Sequence, residues 1–79
     1  MSFIDVQERF AESLAAQREE RHLTILEFCE LVGIGPSSYD YYTRGGGMPT
    51  LYTAIMIAQR LGIGLDELVG AGERRGKRG

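Results

Sequence analysis

The chain has 79 residues, 43% of them hydrophobic and 25% charged, with a formal net charge of −2. A chain of this length supports one small core, and no apolar stretch approaches the roughly 20 residues of a membrane-spanning helix. A single cysteine and a single histidine exclude an internal disulfide and a structural metal site, and the mild negative charge argues against wrapping nucleic acid by bulk attraction.

Apolar residues recur at helical spacing, and the breaks fall at glycine or proline, where helices end most easily. No alternating run marks a strand, so the pattern predicts an all-α fold of five helices. The first runs from about Val6 to Arg21 and ends near His22, with Asp5 and Glu8 at capping-box spacing and Val6, Phe10 and Leu14 on one face. Thr24 caps a short second helix whose stripe is Ile25, Phe28, Cys29 and Val32, and Gly33 closes it. After the turn Gly33-Ile34-Gly35, Pro36 suits the first turn of a third helix reaching about Thr43. Gly45-Gly46-Gly47-Met48-Pro49 reads as a loop. Thr50 then caps a fourth helix with Leu51, Ala54, Ile55, Ala58 and Leu61 inward, stopped by Gly62. A last short helix near Leu65 to Val69 contributes Leu65 and Leu68.

Charge divides the chain. Residues 1–70 read as the folded domain and carry five arginines against ten acidic side chains. In residues 71–79, Arg74, Arg75, Lys77 and Arg78 outnumber Glu73, and without large apolar residues this segment is expected to be a disordered basic tail. The first residues carry no signal-peptide pattern, so a soluble cytoplasmic protein is expected.

Two short helices joined through Gly33-Ile34-Gly35 form the arrangement in which one helix enters a major groove while its neighbours brace it. From Phe10 to Val69 the chain resembles the Cro/lambda-repressor-like (Xre-type) helix-turn-helix family. The resemblance rests on Arg18 to Thr24, Phe28 to Ile34, Arg44-Gly45, Pro49-Thr50-Leu51 through Ala58, and Leu61 to Leu68, in register without a gap. It implies a compact five-helix, lambda-repressor-like domain that regulates transcription by reading double-stranded DNA. The third helix would be the recognition helix, with Pro36, Ser37, Ser38 and Tyr41 toward base edges and Tyr39 and Tyr42 inward. Phosphate contacts would fall on Thr24, Arg44 and Gly46, with tail attraction from Arg74, Arg75, Lys77 and Arg78. A homodimer on a palindromic operator is the expected working unit. No cofactor, small-molecule substrate or membrane partner is implied.

The chain departs from the family at several points. Ile25 stands where relatives place a phosphate-gripping Gln, and Thr43 where many have a Glu to pair with the first-helix arginine, here Arg18. The recognition helix lacks the Arg, Gln and Asn that make bidentate base contacts worth about 1–3 kcal/mol each. Asp40 adds a negative charge, and Pro36 removes a backbone donor at the helix start. These features motivate an alternative reading, a helix-turn-helix scaffold serving protein interaction without DNA readout. Ser37 and Ser38 could equally satisfy the amides of their own helix start, and Tyr41 suits a protein interface as well as a phosphate or base. Leu26, Leu31, Tyr52 and Met56, at or beyond the edges of the inward stripes, are ordinary surface residues unless they share one patch. Ser37, Asp40 and His22 supply triad residue types, but nothing places the histidine beside a serine, and the reading is not an enzyme.

Overall fold

The computed structural model describes residues 2–70, so the basic segment 71–79, with its expected electrostatic role, lies outside the described residues. Five helices make up the domain: α1 (Phe3–Glu20), α2 (Ile25–Val32), α3 (Pro36–Thr43), α4 (Leu51–Leu61) and α5 (Leu65–Leu68). Among the described residues there is no strand.

The helix α1 begins a turn earlier than the spacing of Asp5 and Glu8 predicts. Ser2 is its N-cap: the Ser2 hydroxyl accepts from the Asp5 amide at 3.2 Å, and the Asp5 carboxylate accepts from the Ser2 amide. The added turn places Phe3 and Ile4 at the surface rather than in the core, so its apolar content carries no inward phase. At the other end Arg21 is the C-cap and His22 takes a left-handed backbone, φ 56°.

The second helix is capped as expected. Thr24 Oγ1 accepts from the Glu27 amide at 3.1 Å while Glu27 Oε1 accepts from the Thr24 amide at 2.9 Å. Gly33 follows at φ 80°, a conformation that glycine adopts without the steric penalty of a Cβ. Its amide returns to the Cys29 carbonyl, which turns the chain sharply into α3.

These elements enclose one core. Phe10, Leu14, Phe28, Val32, Ile57 and Leu68 are its largest fully buried side chains, joined by Cys29, Tyr39, Ala54, Ala58 and Leu61. The helix α1 packs on α3 and α5, α2 on α3 and α4, and α4 on α5, so α3 is braced from behind by α1 and α2 together. Arg21 ties the two ends of this stack, its guanidinium donating to the Leu61 carbonyl at 2.9 Å and to the Gln17 side chain. In α4 the buried face is Ala54, Ile57, Ala58 and Leu61, while Leu51 and Ile55 lie outside. This corrects the expected stripe: α4 is apolar on more than one face, and packing on α2 and α5 selects the face that includes Ile57. Ile25 and Leu65, also expected inward, are likewise exposed.

Candidate nucleic-acid interface

The third helix forms over the predicted range. Gly35 is its N-cap and Pro36 occupies its first turn, where the missing proline amide costs no intrahelical bond. Gly35 supplies no side-chain cap, and no hydrogen bond from the Ser37 or Ser38 side chain occurs among the described residues. The serines therefore do not serve as caps for their own helix. Pro36 and Ser37 are exposed and Ser38 is half-buried.

The inner face of α3 is anchored by aromatic rings. Tyr39 is buried and meets Phe28 edge-on, with centroids 5.7 Å apart. Tyr42 meets Phe10 in the same manner at 5.6 Å. Thr43 stands where a glutamate partner for Arg18 was expected to be missing, and its hydroxyl donates to the Tyr39 carbonyl at 2.8 Å. The acceptor for Arg18 is instead the Tyr39 hydroxyl: Arg18 Nε donates to it at 2.9 Å, and Arg18 Nη1 donates to the Leu23 carbonyl at 2.8 Å. One arginine from α1 thus links the segment leading to Thr24 with the back of α3. The signal for it was the demand of a buried tyrosine hydroxyl for a partner.

Tyr41 faces outward but is not free-standing. Its ring lies over Gly46 and Gly47, where an added Cβ would come within 2.7 Å and 2.5 Å of ring or hydroxyl atoms. The Gly46 amide donates to the Tyr41 carbonyl at 2.9 Å. The glycine loop is therefore the seat of the Tyr41 ring. Gly47→Ala should displace the exposed Tyr41 ring at little cost in stability, about 0.5 kcal/mol or less; an unchanged Tyr41 ring environment in the variant's NMR spectrum would contradict this seating.

Arg44, the C-cap of α3, pairs with Asp40 one turn earlier: Nε and Oδ2 are 2.8 Å apart, and both side chains are 64% exposed. The structure thus gathers Pro36, Ser37, Ser38, Tyr41, Arg44 and Gly46 on one helix and its following loop, with Thr24 apart at the N-cap of α2. Cys29 takes no part, because burial removes it from solvent and pushes its thiol pKa upward. No group of side chains able to hold a metal ion occurs among the described residues.

This is a helix-turn-helix domain, α2 and α3 being the paired helices. The chain belongs to the Xre/Cro-like helix-turn-helix family, whose model, described as helix-turn-helix, matches residues 14–68. It is 37% identical over 62 residues to the cryptic phage CTXphi transcriptional repressor RstR of Vibrio cholerae serotype O1, an alignment covering 78% of this chain. The chain spans 55% of the length of that relative. No solved structure matches it with significance.

Proposed function

We propose that the protein is a DNA-binding transcriptional regulator, a repressor rather than an enzyme, that places α3 in the major groove of double-stranded DNA. The observation that carries this reading is the division of α3 into an anchored inner face, Tyr39 and Tyr42, and an outer face whose serines have no bonding role in the fold. Family membership and the similarity to a phage repressor support it.

Pro36, Ser37, Ser38 and Tyr41 face the bases, while Thr24, Arg44 and the loop at Gly46 lie along the phosphates. With short polar side chains and no bidentate reader in α3, selectivity leans on hydrogen bonds from serine and tyrosine and on DNA shape. Pairing of two copies on a palindrome in the cytoplasm, with half-sites about one helical turn apart, raises a modest single-domain affinity. The groove of about 600 Å³ between the start of α4 and α5, lined by Met48, Pro49, Leu51, Ala54, Leu65, Asp66 and Val69, offers such a dimer a mostly apolar seam. The segment 71–79 adds sequence-independent attraction through counterion release.

Selection of a random duplex library by the full chain is expected to return a palindromic consensus. The Ser37→Ala/Ser38→Ala double variant should lose about tenfold or more in affinity for it, since each lost base contact costs about 1–3 kcal/mol. Failure to enrich any sequence would leave the scaffold to protein interaction instead, and a consensus bound equally by the double variant would remove the two serines from the reading face.

A further inference from the structure

The ion pair at the end of α3 joins the one cation of the reading helix and its following loop to an acid on the same helix. Arg44 Nε and Asp40 Oδ2 lie 2.8 Å apart, on side chains that are both well exposed. No other hydrogen bond holds the Arg44 side chain among the described residues. Asp40 is likewise bonded through its carboxylate to Arg44 alone. The spacing of four residues with the acid N-terminal is a favourable helical pairing, but an exposed pair of this kind contributes little to stability. What it alters more is the charge offered to an approaching anion, because the carboxylate cancels the guanidinium at short range.

Resting on the DNA reading above, we propose that Asp40 is a built-in competitor for the phosphate site of Arg44, an intramolecular anion that lowers the sequence-independent attraction of the reading head for DNA. Two consequences of an Asp40 carboxylate can be separated. It holds Arg44 in one arrangement, and it neutralises it. An asparagine keeps the size and an acceptor oxygen while removing the charge, and an alanine removes both. The folded part already carries an excess of acid, and Arg44 is the one cation that α3 and its following loop supply, so masking it weakens the attraction of this segment for phosphate. The gain from unmasking it should appear on any duplex, since phosphate contacts carry no sequence information.

The test uses the full chain, the duplex recovered by selection, and a random duplex of equal length. Asp40→Asn and Asp40→Ala should both bind each duplex on the order of threefold to tenfold more tightly at about 50 mM salt. The slope of log affinity against log salt should steepen by about one, the signature of one additional neutralised phosphate, so the gain shrinks about threefold to fourfold by about 200 mM salt. Arg44→Ala should cost more in the Asp40→Asn background than in the wild type. Unchanged affinity and slope, equal costs of Arg44→Ala in the two backgrounds, or weaker binding by Asp40→Ala would each overturn the proposal, the last by making Asp40 a positioning residue for Arg44. A wild-type protein that binds neither duplex would bring down the DNA reading itself, and this inference with it.

Discussion

Truncation of Phe28 to alanine is expected to lower the unfolding free energy by about 3–5 kcal/mol, measured from urea transitions followed by circular dichroism. Phe28 is fully buried, and its ring meets that of Tyr39 at 67° with centroids 5.7 Å apart. The loss therefore combines the transfer term of a large side chain, the cavity it leaves and one aromatic contact. Its own helix, α2, and the neighbouring α3 are eight residues each and too short to persist without tertiary packing. A domain of this size holds roughly 4–10 kcal/mol in all, so the variant should lose about a third or more of its stability. A loss below about 1.5 kcal/mol would mean that the core can collapse around the gap, and that Phe28 is not the joint between α2 and α3.

The second large effect is expected at Arg18. Replacement by methionine keeps much of the aliphatic packing but leaves the Tyr39 hydroxyl and the Leu23 carbonyl without their donor, for a cost of about 2–3 kcal/mol. Tyr39→Phe removes only the acceptor, and Arg18, whose side chain is 25% exposed, can turn to water; about 1 kcal/mol is expected. The double variant should be less destabilised than the sum, by about 1 kcal/mol, because the second change removes a group already stranded by the first. Strict additivity in the thermodynamic cycle would show that the hydrogen bond contributes nothing. Operator affinity should follow the same order, since Arg18 fixes the back of α3 against the segment before α2.

Much of this arrangement was legible in the chain. Pro36 and the glycines around Ile34 marked the start of α3, Thr24 marked the cap of α2, and Gly33 and Gly62 stood where left-handed closure was needed. These are local signals, written within one turn of the residues they govern. The errors arose where local pattern was silent or doubled. Phe3 and Ile4 extend α1 into solvent, so no inward phase announced that turn, and Ser2 rather than Asp5 began it. The fourth helix offered two apolar faces, and the choice of Ile57 over Leu51 and Ile55 belongs to α2 and α5 rather than to α4 itself. The Arg18 contact joins residues twenty-one apart, which spacing on a single helix cannot reveal. The Asp40–Arg44 pair was within reach, since residues four apart on a helix are neighbours.

The bonding of α3 has an evolutionary consequence. Its hold on the domain runs through Tyr39 and Tyr42, while positions 37 and 38 contribute no side-chain hydrogen bond to the fold. Exchange of those two serines should alter stability by no more than about 0.5 kcal/mol. Two codons can therefore drift toward a new target without jeopardising the scaffold, whereas positions 46 and 47 must stay glycine for as long as the Tyr41 ring lies over them.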